Sequence, residues 1–339
     1  MSISSKLTGS GADVSLPIGQ IEPLVMRILT GKGLIASHAE MVARHLVEAD
    51  LAGVASHGCF RTIEYARQFS VGLLNPTALP ALDLAAGGAT LVDGHGGIGI
   101  PAMHLAVDHL GQKAQETGLA ALGIRNVGHT GRIGAFAEML AHSGHLCIII
   151  GGGGREKWRQ VAPFGGAKAI LPTNPYAMAI PGGDNGPVVM DFATAAVAGG
   201  WIYAAKATGA SLPQDVLLDK DGQTTTDPNA YFDGGAILPF GGPKGSAMSV
   251  MAEMIGEAML GPSTTECQWL MIALDTKRFR EPSAMQSAAE EVLGEIRNCP
   301  AAPGFDQVWV PGERERAAAK GQTHITLPAA IWEQIKALA

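Results

Sequence analysis

A histidine and an arginine four residues apart, His57 and Arg61, have the types and spacing for proton-transfer chemistry. Histidine has an unperturbed pKa of about 6.5, so its side chain gains or loses a proton near neutrality. Arginine presents a planar fork of N–H donors that binds a carboxylate through two parallel hydrogen bonds. The pair predicts a site for reversible reduction of a small 2-oxo acid. The alternative is a structural histidine at the junction of a helix and a loop.

Lys244 is a candidate for binding a phosphate group. It lies among glycines and precedes an apolar segment that is expected to be helical. A lysine can meet a phosphate as a point charge, and the free N–H groups of a helix's first turn favour the same anion. The alternative is an ordinary exposed lysine in a turn.

His129 and Asp191 are two further polar candidates. His129 lies just before a predicted helix, and it is either a second polar group facing the substrate or a loop residue. Asp191 ends a predicted strand, and its structural interpretation is the cap of a helix that starts near Thr194. No cluster of side chains has metal-ligand spacing, so no metal site is expected.

Composition limits the class of protein. The 339 residues are enough for two domains or one large domain, and 45 glycines spread without a fixed period favour many turns and close packing. The net charge of −7 gives no electrostatic reason to expect a nucleic-acid partner. We therefore expect a globular protein that acts on small molecules.

Three features predict a cytoplasmic protein without membrane contact. Residues Met1 to Lys6 lack the charged-then-apolar pattern of a signal peptide. The longest apolar runs, such as residues 146–150, are far shorter than the roughly 20 residues that cross a bilayer. The four cysteines are far apart and include no CxxC pair, which is typical of reduced thiols without a zinc site.

Hydrophobic spacing predicts helices at both ends of the chain. Apolar residues at 21, 24, 25, 28 and 29 recur at helical intervals, and a second helix is expected to begin near Ser37 and reach about Ala52. A third is expected from Arg61 to Gly72. Two more are predicted from Met285 to Arg297 and over residues 328–338.

Short β-like runs alternate with helical segments in between. Strands are predicted at residues 89–93, 119–124, 146–150, 176–180, 187–191 and 269–274. Helices are predicted at about 101–117, 131–143, 194–205 and 245–260. This order indicates an α/β protein with a discontinuous helical domain, residues 1–76 and 280–339, around an inserted mixed-sheet domain, residues 77–279.

The segment Gly94 to Gly99 satisfies GxGxxG after a strand and before a helix. A dinucleotide fingerprint also needs an acidic residue at the end of the next strand, and that strand ends at Arg125-Asn126 without one. Such a unit also rarely follows some 90 residues of helix and loop. We interpret the glycines as marking close backbone approach, and not a Rossmann fold.

Several blocks of residues follow one another along nearly the whole chain. They are Ser56-His57-Gly58 with Arg61 and Tyr65, Gly128-His129-Thr130-Gly131-Arg132-Ile133-Gly134, Thr173-Asn174-Pro175, Ala179 to Gly183, Pro187 to Asp191 with Ala193-Thr194, Gly242 to Ser246 leading into Met251 to Met254, and Val310 to Glu313. In this order they resemble the malate/L-lactate dehydrogenase family of 2-oxoacid reductases. That family also contains ureidoglycolate, sulfolactate and diketogulonate oxidoreductases and Δ1-piperideine-2-carboxylate reductases. The His129 block is most similar to the hydroxycarboxylate dehydrogenase branch.

The resemblance implies a non-Rossmann mixed-sheet domain that binds NAD, with NADP left open, and a homodimer whose active site lies near the subunit interface. It implies that His57 is the proton donor, that Arg61 binds the substrate carboxylate with Ser56 and His129 nearby, and that Asp191 orients the site or the nicotinamide. It also implies cofactor contacts from three segments, whose residues are Pro187, Val188, Val189, Met190, Asp191, Phe192, Ala193, Pro243, Lys244, Gly312, Glu313 and Arg314.

The chain departs from the family pattern around the expected substrate. Pro172 precedes Thr-Asn-Pro where many relatives have glycine, Pro243 replaces an aromatic residue, and Gly151 to Gly154 replace a more polar segment. These changes weaken any transfer of substrate identity. A cyclic imine reductase using the same residues and a non-catalytic dinucleotide-binding relative are therefore alternatives. Arg155, Lys157 and Arg159 either meet the 2′-phosphate of NADP or form a solvated loop.

Overall fold

A computed structural model describes residues 12–339 of the chain. The interpretation of Met1 to Lys6 as lacking a signal peptide lies outside the described residues. The first elements are β1 (Asp13–Pro17), α1 (Ile18–Gly31), α2 (Ala36–Leu51), a single 3-10 turn (Ala55–His57) and α3 (Arg61–Ser70). The five apolar positions that predicted α1 are all buried, which confirms the first helix.

The middle of the chain alternates strands and helices, as predicted, and the end of the chain adds a helix and a strand that were not predicted. The remaining elements are β2 (Ala81–Leu84), β3 (Thr90–Gly97), α4 (Gly99–Thr117), β4 (Leu119–Val127), α5 (Ile133–His142), β5 (His145–Gly152), β6 (Pro175–Ile180), β7 (Val188–Ala193), α6 (Gly199–Thr208), β8 (Leu217–Leu218), β9 (Thr224–Thr225), α7 (Asn229–Phe232), β10 (Ala236–Ile237), α8 (Pro243–Glu253), β11 (Cys267–Asp275), α9 (Pro282–Arg297), α10 (Glu313–Ala319), β12 (His324–Pro328) and α11 (Ala329–Lys336).

In the described part of the chain, the main sheet has seven strands in the order β2-β3-β4-β11-β5-β6-β7. Only β3 and β4 run parallel, and every other neighbouring pair in this sheet is antiparallel. A Rossmann sheet is built from parallel strands joined by helical crossovers. The prediction of a mixed, non-Rossmann sheet is therefore confirmed.

The glycines at 94–99 pack closely against neighbouring backbone. Gly94 and Gly97 lie within β3, where the ladder to β4 shifts register between Asp93 and Gly97. A Cβ on Gly97 would come within 2.8 Å of Ala78 Cβ, and one on Gly94 would overlap Val127. These residues meet a close-packing requirement, as the sequence interpretation held.

The two ends of the described chain join in one structure. β1 pairs antiparallel with β12, from Asp13 opposite Pro328 to Pro17 opposite His324. α1 packs on α2, and α11 follows β12 back towards the same helices. The discontinuous helical part is thus confirmed, although the pairing of β1 with β12 was not predicted. The boundaries at 76 and 280 stay a prediction.

One predicted helix differs in position, and another differs in helix type over its last part. The helix expected at 194–205 is α6, which begins at Gly199 after an extended segment. The helix expected at 245–260 is α8, which ends at Glu253 and continues as a π-helical turn over Met254–Met259. A small sheet of β10, β8 and β9 has its own apolar core beside α6, and it was not predicted. None of the helices in residues 12–339 is long and apolar enough to cross a membrane.

Candidate active site

The short turn that carries His57 is fixed by Asp50 at the end of α2. Oδ2 of Asp50 accepts a hydrogen bond from the Cys59 backbone N–H at 2.7 Å. Any Cβ on Gly58 would overlap the Asp50 carboxylate, so only glycine permits this approach. Burial raises the pKa of Asp50 to about 6, while the hydrogen bond from Cys59 lowers it. Asp50 was not singled out by the sequence, because its role depends on a contact with a separate turn.

His57 is half-buried at the end of this turn. Its Nδ1 lies 3.0 Å from Oγ of Ser56, and a hydroxyl can either donate to that nitrogen or accept from it. Burial, assisted by the positive charges of Arg61 and Arg132, lowers the pKa of His57 to about 3. His57 is therefore a neutral imidazole near neutral pH. The Ser56 hydroxyl can form a hydrogen bond with either tautomer of this ring.

Arg61 begins α3 and is held close to His57. Its Nε donates to the carbonyl oxygen of Ser56 at 2.9 Å, and its guanidinium lies 5.0 Å from the centroid of the Phe60 ring. Within residues 12–339 this is the only hydrogen bond of the guanidinium, so the terminal nitrogens remain for a ligand. The structure thus brings together Ser56, His57 and Arg61 as the sequence predicted, and a bidentate carboxylate fits the free edge of Arg61.

His129 joins this cluster from a distant part of the chain. Its ring stacks on that of His57 with centroids 5.4 Å apart. The hydroxyl of Tyr65 lies 2.7 Å from Nδ1 of His129, and the Gly131 N–H donates to the same nitrogen at 3.2 Å. Because a backbone N–H can only donate, Nδ1 is an acceptor and the proton of the neutral ring is on Nε2.

The pKa of His129 lies well below its usual range, first because of burial and then because of the nearby Arg61 and His57. His129 is therefore a neutral ring with an Nε2–H donor. Burial likewise raises the pKa of Tyr65, which keeps its phenol protonated. A neutral donor beside His57 and Arg61 fits recognition of a carbonyl or carboxylate oxygen.

His45 positions the loop that carries His129. Its Nε2 accepts the backbone N–H of Arg132 at 2.9 Å, and its ring stacks on Phe136 with centroids 5.1 Å apart. Burial lowers the pKa of His45 to about 3, so the acceptor nitrogen stays unprotonated. A Cβ on Gly131 would overlap this ring. His45 carries no sequence signal of this role, since nothing in α2 marks it as different from other helical positions.

Asp191 lies on β7 under the first turn of α5. Its Oδ2 accepts the Gly134 N–H at 2.7 Å, and a Cβ on Gly134 would come equally close to that oxygen. The residue as a whole is exposed, but its carboxyl group is removed from water. This burial raises the pKa of Asp191 to about 6, and the hydrogen bond from Gly134 opposes the shift. Asp191 thus caps α5, and not the helix near Thr194 that formed the alternative. Its catalytic role stays a prediction.

One predicted cofactor segment is β7 itself, and the other two lie beside its two ends. At its start, Val189 N donates to Pro311 O at 3.0 Å, and a Cβ on Gly312 would come within 3.0 Å of Val189 Cβ. Just past its end, the carbonyl oxygen of Thr194 accepts the Phe240 N–H at 3.0 Å, which places the turn before α8 there. Residues 187–193, 243–244 and 312–314 are therefore contiguous in the fold, although far apart in sequence.

Lys244 is exposed in the first turn of α8, after two glycines with positive φ, Gly241 and Gly242. The expectation of free N–H groups at this helix start is wrong. The N–H groups of Lys244, Gly245 and Ser246 donate to the carbonyl oxygens of residues 241, 240 and 242 in the preceding turn. Any phosphate contact here would come from the Lys244 ammonium.

Glu313 is engaged by the protein itself. Its carboxylate accepts from Asn185 Nδ2 at 3.0 Å and from Arg297 Nε at 2.8 Å, and it is buried. Its pKa is lowered by these hydrogen bonds, which outweigh the opposing effect of burial. Glu313 therefore fastens α9 and the 183–187 turn beside β7, while Arg314 next to it is exposed.

The basic residues 155–159 are also occupied. Arg155 forms a bidentate pair with Glu257, with hydrogen bonds of 2.7 and 2.6 Å. Lys157 donates to the carbonyl oxygen of Thr264, and Arg159 Nε donates to the carbonyl oxygen of Arg155 at 3.0 Å. These contacts favour a structural loop over a site that waits for a 2′-phosphate.

A buried carboxylate, Glu253, joins the glycine run after β5 to the Thr-Asn-Pro block. It accepts the Gly153 N–H at 2.9 Å and Asn174 Nδ2 at 2.6 Å. Gly152 and Gly256 pack so closely that a Cβ on either would overlap the other segment's backbone. These glycines therefore let the π-helical turn after α8 approach the sheet.

The sequence of the chain is similar to those of several known oxidoreductases. Residues 16–336 match the family model described as malate/L-lactate dehydrogenase. The chain is 35% identical, over 248 residues that cover 73% of it and 72% of the relative, to a Δ1-pyrroline-2-carboxylate/Δ1-piperideine-2-carboxylate reductase of Pseudomonas putida. It is 30% identical to the NAD(+)-dependent ureidoglycolate dehydrogenase of Escherichia coli K12, covering 89% of this chain and 90% of the relative.

A solved structure is similar over nearly the whole fold. The sulfolactate dehydrogenase of Methanocaldococcus jannaschii superposes with a TM-score of 0.85 at 29% sequence identity, covering 96% of each chain. The chain belongs to the malate/L-lactate dehydrogenase family.

Proposed function

We propose that this member of the malate/L-lactate dehydrogenase family interconverts a small 2-oxo acid and its 2-hydroxy acid, with His57 as the acid and base. The observation that carries the proposal is the cluster of His57, Arg61 and His129, which offers a proton-transfer group, a carboxylate-binding fork and a neutral donor. The chain is an oxidoreductase of a family whose members act on such acids.

In the direction of oxidation, neutral His57 takes the hydroxyl proton of the substrate on Nε2. Its Nδ1–H then donates to Oγ of Ser56, which holds the ring in position. In the direction of reduction, protonated His57 returns that proton to the oxygen on which negative charge develops. Arg61 binds the carboxylate throughout and so fixes the reacting carbon relative to His57.

A nicotinamide cofactor, which accepts or supplies the hydride when bound, fits beside β7. Two observations support the fit: the Lys244 ammonium has no partner among residues 12–339, and residues 187–193, 243–244 and 312–314 are contiguous. Lys244 would meet a phosphate group, while Gly312 and the exposed Arg314 lie at the other end of the strand. Asp191 would lie between them. Replacement of Lys244 by alanine should weaken cofactor binding, and an unchanged dissociation constant would remove it from the site.

A spectrophotometric screen tests the reaction. Lactate, malate and related 2-hydroxy acids, and their 2-oxo acids, are offered with each nicotinamide cofactor, and absorbance of the reduced nicotinamide is followed. The expected result is turnover of at least one pair that is lost in His57→Ala. Absence of turnover with every acid would overturn the proposal.

A cyclic imine reductase is the second candidate. It is favoured by the similarity to a reductase that acts on Δ1-pyrroline-2-carboxylate and Δ1-piperideine-2-carboxylate. A cyclic imino acid also carries a carboxylate for Arg61, and His57 would donate its proton to nitrogen. A kcat/KM for Δ1-piperideine-2-carboxylate above that for pyruvate selects this function. Dinucleotide binding without turnover of either class would instead identify a non-catalytic relative.

We propose NAD as the preferred cofactor, because Arg155, Lys157 and Arg159 are held by contacts within the protein. Comparison of kcat/KM for NADH and NADPH tests this choice. A homodimer and a cytoplasmic location are proposed by resemblance to the family and from the four free cysteines. Light scattering of the purified protein and cell fractionation test them.

A further inference from the structure

Glu266 lies in the segment that leads into β11, next to the loop of His129. Cys267 pairs with Val127 in the sheet, so the antiparallel register carries Glu266 past the end of β4 towards that loop. The hydroxyl of Thr265 donates to the carbonyl oxygen of Val127, which holds the segment in place. Glu266 is therefore attached to the same loop that presents His129.

Side chains of α3 surround the carboxyl of Glu266 from the other side. Gln68 lies within hydrogen-bond reach of it, Arg61 and Glu64 act on its charge, and it acts in turn on Tyr65. The hydrogen bond of Arg61 in the described chain goes to Ser56, so Arg61 attracts Glu266 without forming an ion pair with it. Glu266 thus belongs to the cluster of Arg61, Tyr65 and His129.

The carboxyl of Glu266 changes charge near neutral pH. Burial raises its pKa to about 7, against the lowering effect of Arg61, and Glu64 raises it further. A hydrogen bond from the Gln68 side chain favours the ionised form and partly opposes the effect of burial. The group is mostly neutral below that pH and mostly ionised above it.

We propose that Glu266 is a specificity-determining residue of the substrate site, which selects by charge among the acids that Arg61 binds. The inference rests on the proposed function, in which Arg61 holds the substrate carboxylate. Ionised Glu266 repels a second carboxylate on the substrate, and it favours a remainder that is uncharged or, as in a cyclic iminium, positive. Like charges in a partly buried site interact more strongly than in water, so discrimination of about tenfold is expected.

The sign of the pH effect follows from the groups that face Glu266. Arg61 stays cationic, and Glu64 is already paired with Arg67 at 2.8 Å. The pKa values of Tyr65 and Cys267 are raised by burial, so the phenol and thiol stay neutral. Ionisation of Glu266 above about pH 7 should therefore weaken acid binding as the pH rises.

The pKa of His57 lies at about 3 and that of His129 well below its usual range, both through burial, so neither ring titrates over this interval. Burial raises the pKa of Asp191 to about 6. This residue belongs to the predicted cofactor segment of β7. Its titration would change the dissociation constant of the cofactor, which is measured separately.

Calorimetry on the NADH-loaded protein tests the proposal without requiring turnover. Oxamate, with one carboxylate, and tartronate, with two, are titrated between about pH 6 and 8. In the unaltered protein, the ratio of tartronate to oxamate dissociation constants should rise about tenfold over this range. In Glu266→Gln the ratio should not depend on pH, and it should stay near the value that the unaltered protein has at about pH 6. Glu116→Gln, an exposed position on α4 paired with Lys113, is the control with the same charge change.

Three results would overturn the inference about Glu266. A ratio that does not change with pH in the unaltered protein overturns the inference even if the variant does not fold. So does a Glu266→Gln ratio equal to that of the unaltered protein at about pH 8, or failure of both acids to bind. If both bind with the expected ratios but no 2-oxo or 2-hydroxy acid turns over, the charge selection stands and the proposed reaction fails.

Discussion

The hydroxyl of Tyr65 and Nδ1 of His129 are joined by a hydrogen bond of 2.7 Å between α3 and the loop before α5. With the Gly131 N–H on the same nitrogen, this bond leaves Nε2 of His129 as the donor. Tyr65→Phe should lower kcat/KM about fivefold, because one hydrogen bond that orients the ring is worth about 1 kcal/mol. Steady-state kinetics measure the loss. Tyr203→Phe, at an exposed position on α6, should leave kcat/KM unchanged.

Loss of the imidazole of His57 should affect chemistry more than binding. We expect His57→Ala to lower kcat by roughly 10²–10⁴, since general acid–base catalysis contributes that much. The dissociation constant of the cofactor should change little, because the predicted cofactor segments lie along β7. Kinetics and fluorescence titration with NADH separate the two. Unchanged kcat would assign the proton transfer to another group.

The pH dependence of the oxidation reaction should differ from that of an ordinary histidine base. Burial lowers the pKa of His57 to about 3, so the base form is present at every pH above about 4. We therefore expect kcat/KM for the 2-hydroxy acid to lack an acid limb between about pH 5 and 7. The reduction reaction needs the protonated ring, so its kcat/KM should fall as the pH rises. An acid limb with a midpoint near 6.5 in oxidation would contradict this account.

Replacement of Arg61 by lysine should mainly weaken substrate binding. Lysine keeps the charge but loses the fork of donors and the hydrogen bond from Nε to the Ser56 carbonyl. KM for the acid should rise about tenfold or more, with a smaller change in kcat. Parallel measurement of KM for the cofactor gives the control, because that value should stay the same. Equal effects on the two KM values would argue against a direct substrate contact.

Gly58 should not tolerate a side chain. A Cβ there overlaps the Asp50 carboxylate, so Gly58→Ala must move either α2 or the turn of His57. The free energy of unfolding should fall by about 1–3 kcal/mol, and kcat should fall with it. Denaturant unfolding and kinetics measure both. Gly19→Ala, at a position in α1 with open space around the glycine, should cause neither effect.

Local pattern was enough to predict much of this fold. Apolar runs located the central strands because a buried strand needs consecutive or alternating apolar residues. The spacing of His57 and Arg61 predicted their proximity, because residues four positions apart at the start of a helix remain close in space. The position of α6 was wrong because no capping side chain marks its start at Gly199.

Contacts between distant segments could not be predicted in the same way. Asp50, His45 and Glu253 position the site through hydrogen bonds to backbone N–H groups, and every residue offers such a group. No sequence signal shows which one a given carboxylate or imidazole will meet. The pairing of β1 with β12 could not be predicted either. The five residues of β1 alternate between polar and apolar, and this pattern does not identify a partner strand more than 300 residues away.

That pairing of β1 with β12 has a consequence for the order of folding. The helices that hold His57 and Arg61 are synthesised first, yet the two-stranded sheet beside them closes only after residues 324–328 leave the ribosome. Contacts of such large sequence separation form slowly because a long loop must be closed first. The central sheet can therefore assemble while the helical part still lacks its last strand and α11. We expect catalytic competence to be acquired only after β12 has been synthesised, when the central sheet before it has already folded.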